Sequence, residues 1–347
     1  MNNMMYKKKV STATIIVCVV AALFVLIMPR VNHGYKMLCL NLTLIYAMVA
    51  LSVSVMLGMG GQMTFAGVTM MGVGGYFAAN LTSGRLGFAW PTLPVLLLAP
   101  IFTAIVAFLI GLVLLKLRGT YFTFSTIGLL QVAFSFYSMN RPVFGGYDGI
   151  TNVPAIDIFG FVPKTYNEWF YVLAVCLLLV SIAVERIRST KLGRSLAAVR
   201  DNETAAKTFG INVYMTKVYA FAIAGAICGF AGAIYAMMNK YISADTFSFD
   251  VGVQYIIMAM LGGVNNTVGC IVGAILIGML PEWLRSMEGY MQLIYGVGVI
   301  LLMIFMPMGL SGLLQSLLKK WRKRGIAKKA VTADVCGNDG THDKSEV

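Results

Sequence analysis

The chain has 347 residues, 59% hydrophobic and only 12% charged, with a mean hydropathy of +0.80. Soluble domains carry about 25% charged residues, so the composition excludes a soluble globular protein and points to a polytopic membrane protein. The net charge of +13 would suit nucleic acid, but its cations gather beside apolar runs, the pattern of membrane topology and not of nucleic-acid binding.

A hydrocarbon core about 30 Å thick takes about 20 apolar residues per helix. On that measure the chain offers ten spans: 10–29, 36–57, 63–82, 91–115, 120–139, 167–185, 216–238, 251–263, 267–284 and 290–307. Barrel strands would alternate polar and apolar residues, and these runs do not. The expected fold is therefore an all-α polytopic integral membrane protein of about ten transmembrane helices. The first run follows Lys7, Lys8 and Lys9, is longer than a signal-peptide core and ends in Met28-Pro29-Arg30. It reads as a retained span. The eighth is too short to cross alone; half-buried or tilted, it leaves nine crossings as the alternative count.

With the N-terminus inside, ten spans place 1–9, 116–119, 186–217 and 308–347 in the cytoplasm, where they hold 20 of the 27 Lys and Arg. The opposite side keeps Arg30, Lys36, Arg85, Arg141, Lys164, Lys240 and Arg285. This bias obeys the positive-inside rule, and inverting the chain would reverse it. Both termini are expected in the cytoplasm. Residues 1–318 form one membrane domain; 319–347 is a basic stretch that anchors the last span against anionic lipid, followed by a polar tail expected to be disordered.

Glycine gathers at Gly58–Gly61, at Gly72–Gly75, at Gly145-Gly146, and from Gly262-Gly263 through Gly269, Gly273 and Gly278. Gly269, Gly273 and Gly278 have the near-four-residue spacing that lets membrane helices approach closely. The pairs Gly60-Gly61 and Gly262-Gly263 fit either such packing or a helix broken within the membrane, where backbone faces substrate. They lie six spans apart, which establishes no inverted repeat. The outward loop Asn140–Tyr166 is rich in Pro, Gly and aromatic residues. Two readings are open for it: a fold-back into the outer mouth of a pathway, or a surface loop packed on lipid headgroups through Tyr147, Phe159 and Phe161.

No Asp, Glu, Lys, Arg or His sits near the middle of any span, which argues against a proton-coupled carrier. Gly-Lys never occurs, so there is no Walker motif and no nucleotide site in this chain. The only histidines are His33 and His342, neither HExxH nor GxSxG is present, and Asp148 and Asp157 read as a solvated loop surface. No enzyme chemistry is expected. Five cysteines (Cys18, Cys39, Cys176, Cys228 and Cys270) lie in apolar runs and Cys336 in the tail, with no metal-ligand spacing. What remains for a pathway is polar and uncharged: Asn41, Thr43, Gln62, Thr64, Thr123, Ser125, Thr126, Gln131, Gln254 and Asn265. Such a lining suits a neutral or zwitterionic solute, and the alternative for each residue is an interhelical hydrogen bond.

The cytoplasmic stretch 186–217 is amphipathic. Leu192, Leu196 and Val199 form an i, i+4, i+7 ridge, with Lys191, Arg194 and Arg200 largely off it. Asp201-Asn202-Glu203-Thr204 caps a second short helix, Ala205–Phe209, ended by Gly210. The expected result is a two-helix knob below the membrane, either docked into a soluble partner or lying on lipid headgroups.

Several runs resemble one family in order. Gly193–Ala206 followed by Gly210-Ile211-Asn212 resembles the cytoplasmic loop of branched-chain amino acid ABC permeases, and Ala205-Ala206-x-x-x-Gly210 its coupling motif. Leu117-Arg118-Gly119-Thr120-Tyr121-Phe122 with Thr126, Gly145-Gly146-Tyr147-Asp148-Gly149-Ile150, and Leu261–Val264 through Gly269, Gly273 and Leu280-Pro281-Glu282 are similar to further family segments, closed by Met308–Leu313. Asn265-Asn266 departs from the pattern, which commonly has Gly-Ser-like residues there. The likeness is to the LivM type rather than LivH.

The resemblance implies an importer half-transmembrane unit of the bacterial inner membrane for leucine, isoleucine and valine, with urea or short amides as alternative cargo on the same scaffold. A stand-alone sodium-coupled or facilitative carrier is the reading from another class. The implied partners are a LivH-like second permease, two cytoplasmic ABC ATPases that bind the ATP, and a periplasmic or extracellular binding protein; this chain holds no cofactor. The implied coupling residues are Gly193, Arg194, Arg200, Asn202, Glu203, Ala205, Ala206 and Gly210. The pathway residues are Gly60, Gly61, Gln62, Tyr121, Thr126, Gln131, Gly145, Gly146, Asp148, Gly262, Gly263 and Asn265.

Overall fold

A computed structural model describes residues 34–85, 89–117, 119–158, 160–283, 296, 297 and 300. The expected span 10–29, nearly all of 290–307, the tail 319–347, Arg118, Phe159 and the 308–313 motif lie outside the described residues. In chain order the helices are α1 (Tyr35–Val53), which runs on into a π-helical turn at Ser54–Met59, α2 (Ala66–Thr82), α3 (Thr92–Leu114), α4 (Thr120–Met139), the single turn α5 (Arg141–Phe144) and α6 (Tyr166–Ser189). Then come α7 (Lys191–Asp201), α8 (Glu203–Thr208), α9 (Val213–Asn239), α10 (Phe249–Gly262) and α11 (Thr267–Trp283). Eight of the ten expected spans thus appear as helices.

Five of them, α1 with its π-turn, α3, α4, α6 and α9, are long and apolar enough to cross a membrane. α10 has 14 residues, about 21 Å at 1.5 Å per residue, so it stops short of a full crossing, as its sequence length predicts. α1 and α9 form the centre: 83% and 72% of the residues in their most apolar stretches are buried, against about a third in α3, α4 and α6. α9 packs along α2 and α3, while α1 packs against α11 and α6. The α2–α9 seam is a glycine contact. Gly74 lies on Gly229, and a Cβ at Gly232 would strike the Met71 carbonyl, so the two backbones meet without side chains between them.

Caps set the ends of several helices. Thr165 and Glu168 form a reciprocal capping box at the start of α6. α6 continues past 185 to Ser189, carrying Arg186 and Arg188 in its last turn, where cations oppose the helix dipole. α9 begins at Val213, earlier than expected, because Asn212 accepts from Met215 N at 3.1 Å. The polar stretch between helices is correspondingly shorter than 186–217.

At the opposite end, the Asn140–Tyr166 segment folds back onto the protein. Ile150–Thr151 (β1) pairs antiparallel with Tyr241–Ile242 (β2), in register Ile150 to Ile242. Val153 N donates to Lys240 O at 3.2 Å and Asp157 N to Thr92 Oγ1 at 2.7 Å. Ile150, Val153 and Ile156 are buried above an aromatic cluster of Tyr76, Tyr137, Phe144 and Phe247. The segment 150–157 thus folds onto the protein, while Tyr147 and Phe161 stay exposed.

Candidate functional site

At the basic end of the bundle the two short helices form the knob that periodicity predicts. Thr190 caps α7 through Gly193 N at 3.4 Å, and Asn202 Oδ1 caps α8 through Thr204 N at 2.9 Å and Ala205 N at 3.0 Å. Glu203 therefore stands inside α8 rather than before it. Leu196 and Val199 are buried, Leu192 half-buried, and Ala206 closes a small cluster with Val199 and Val213. Gly193 is buried where α7 folds back on the end of α6. The apolar ridge is thus consumed by the protein itself and is not free to lie on lipid.

Polar bonds weld the knob to the bundle. The Lys217 ammonium, whose side chain is only 8% exposed, pairs with the Glu203 carboxylate. Exposed on the knob are Lys191, Arg194, Lys207 and, just after α8, Phe209 at 85% exposure. Gly210 follows at φ +77°, turning the chain back toward α9. A large aromatic ring presented to water on a charged knob is the usual form of an anchor for a partner's pocket. Phe209 enters the sequence reading only as a helix end. Its signal is that, of the two aromatic residues in 186–217, it alone precedes a helix-stopping glycine.

Behind the knob, residues assigned by sequence to two different tasks come together. The Arg200 Nη1 donates to Gly58 O at 2.7 Å and to Asn265 Oδ1 at 2.9 Å. Its Nε and Nη2 donate to Asp201 Oδ1 at 3.2 and 3.0 Å. Gly61, at φ +66°, lies over the Arg200 stem; a Cβ there would sit 2.7 Å from Arg200 Cγ. Leu196 covers Gly60. A Cβ at Gly58 would run into Val264 O, which also accepts from Ser54 Oγ at 2.6 Å. Arg188 reaches Ser54 Oγ at 3.5 Å, and Glu185 accepts from Thr267 Oγ1 at 3.0 Å. The π-turn, the α10–α11 corner and α7 meet in this joint. π-Turns inside helices gather at functional sites.

The other pathway residues are spread out. Gly262 and Gly263 are buried in the α10–α11 hairpin, Gly262 against Gly269 and Gly273. Gln62 is half-buried, with an Oε1 that meets no protein donor. Thr126 is buried; its Oγ1 accepts from Phe65 N at 3.2 Å and donates to Thr123 O at 2.7 Å, holding the start of α2 to α4. Tyr121 and Gln131 point away from the bundle on α4. Gly145 and Gly146 are buried in the opposite-end loop, and Asp148 is exposed there, 3.5 Å from Arg141. No three metal-binding side chains cluster among the described residues.

The described residues form a mainly helical, multi-pass bundle with a short basic knob bonded to the helix ends on one side, an architecture that suits a membrane transport subunit of the permease class. A family model described as the branched-chain amino acid transport system permease component matches residues 35–307. The chain belongs to that family. It is 28% identical over 318 residues to the high-affinity branched-chain amino acid transport system permease protein LivM of Escherichia coli K12, covering 83% of this chain and 72% of that one. It is 28% identical over 239 residues to the probable LivM of Methanocaldococcus jannaschii, covering 67% and 68%. The probable LivH permease of the same archaeon is 25% identical over 214 residues, covering 58% and 61%. No solved structure matches the chain.

Proposed function

We propose that this chain is one of two permease subunits of an ATP-driven importer for leucine, isoleucine and valine in a bacterial inner membrane. A LivH-like permease completes the pathway, two cytoplasmic ATPases bind and hydrolyse the ATP, and an extracytoplasmic binding protein delivers the amino acid. The observation that carries the reading is the knob: its apolar ridge is used internally, yet it keeps Phe209 exposed, along with the basic Lys191, Arg194 and Lys207. Such an anchor serves a soluble partner and has no use on a stand-alone carrier.

The second permease is supported by α4. Helices facing lipid should be strongly apolar. α3 and α6, equally exposed, have mean hydropathies of 2.7 and 2.2, whereas α4 has 1.2 and is the least buried of the five. Its exposed residues, among them Tyr121, Phe124, Gly128, Gln131, Val132 and Phe136, include an amide in mid-span. A helix of that kind belongs against another protein surface or a wet pathway.

The test is reconstitution of the complete complex in proteoliposomes with labelled leucine. Uptake that needs ATP and is competed by isoleucine and valine supports the proposal; competition by urea or acetamide instead moves the cargo. Uptake by this chain with no ATPase present sinks it. Phe209→Ala is expected to weaken ATPase binding about thirty-fold, the size of an interface anchor, measured on the purified permease pair.

A further inference from the structure

We infer that Arg200 is the positioning residue that transmits movement of the coupling helix α7 to the inner ends of α1 and α10. The inference rests on the ATP-driven reading above and adds the mechanical link within this chain.

Helix C-termini leave carbonyls without intrahelical partners and carry partial negative charge. The π-turn that ends α1 and the corner that ends α10 both do so beside α7. Arg200 satisfies the first through Gly58 O and reaches the second through Asn265 Oδ1, both from one nitrogen, Nη1. Asp201 Oδ1 takes the remaining edge of the guanidinium, Nε and Nη2, and so fixes its plane. The stem is clamped as well, since Gly61 leaves no Cβ and Arg200 Cγ fills that space. The side chain is 34% exposed; its bond to Gly58 O is the part-buried one, and those to Asn265 and Asp201 lie at the surface. Arg200 thus points into the bundle while Phe209 points out. A push on the knob is received at Phe209 and delivered at Gly58 and Asn265. Two further charged groups bond beside the joint: Arg188 and Glu185 of α6, paired with each other at 3.3 Å, reach Ser54 at the start of the π-turn and Thr267 at the start of α11.

The experiment measures leucine uptake and ATP hydrolysis together in proteoliposomes of the full complex. Arg200→Gln is expected to lower leucine moved per ATP about ten-fold, the loss of charge-assisted hydrogen bonds. Arg200→Lys, which keeps the charge and loses the planar fork, should fall between it and the unsubstituted protein. Asn265→Ala should lower the ratio by a smaller factor and add nothing to Arg200→Gln when the two are combined. An unchanged ratio in Arg200→Gln overturns the inference. So does a parallel loss of uptake and hydrolysis at constant ratio, which would make Arg200 part of ATPase docking alone. A combined variant whose losses multiply overturns the arm through Asn265. Should Arg200→Gln fail to fold, Asn265→Ala still decides, because it leaves the packing of Arg200 intact. Failure of the importer reading itself is distinguishable, since the unsubstituted complex would then take up leucine without ATP.

Discussion

Lys217 places an ammonium almost out of water with one carboxylate, Glu203, as its counter-charge. The pair fastens α8 to α9 across 14 residues. Removing one partner of such a pair leaves a charge stranded in a poor solvent, and the cost approaches that of a broken buried ion pair. Glu203 is itself half-exposed, so water recovers part of it. Glu203→Gln is expected to lower stability by about 2 kcal/mol, seen as a fall in the thermal midpoint of the detergent-solubilised protein. Adding Lys217→Met should return most of the loss; if it does not, the two residues are not coupled. At this scale the sequence was a partial guide. Glu203 stands out there as part of a capping run, which is local information. Its partner lies on the next helix, and only the way α8 folds back onto α9 selects Lys217 from the basic residues of that stretch.

The elements themselves were largely legible. Long apolar runs, the capping run around Asn202 and glycine at Gly210 are local signals, and helices form around them at nearly the expected places, while the caps at Thr165, Thr190 and Asn212 emerge from the structure, the last starting α9 earlier than the apolar run does. What the runs do not reveal is rank. α1 and α3 are both strongly apolar, yet α1 is the buried centre and α3 faces outward. The seam between α2 and α9 explains part of that order, because glycines admit direct backbone contact. Gly232→Leu should force the two helices apart, an overpacking beyond the usual cost of about 1–3 kcal/mol. It is expected to abolish the monodisperse protein peak on gel filtration. At Gly128 on α4 a Cβ meets nothing within 4 Å, so Gly128→Leu should leave the isolated chain intact.

For the whole molecule the same Gly128→Leu variant has a different consequence. On the proposed function, the exposed side of α4 that carries Gly128 and Gln131 faces the second permease, and a leucine there should weaken the permease pair while each chain remains folded. Gln131→Leu should do the same if the amide bonds across the interface, and should strengthen retention in lipid as a single chain if it does not. Co-purification of the two permeases through a tag on one of them reads the difference. The sequence by itself determined the membrane-spanning character, the places of the eight expected spans that the described residues cover, and the presence of a two-helix knob, because hydropathy and helix-end signals act over a few residues or turns. It also placed the chain near its family through short ordered motifs. Only the tertiary structure decided which face of the knob is used up internally and which is left exposed. It alone brought Arg200 to Gly58 and Asn265, 142 and 65 residues away, where residues read as coupling and residues read as pathway meet in one joint. No periodicity encodes such contacts; they arise when helix ends that need donors are packed against a helix that carries them.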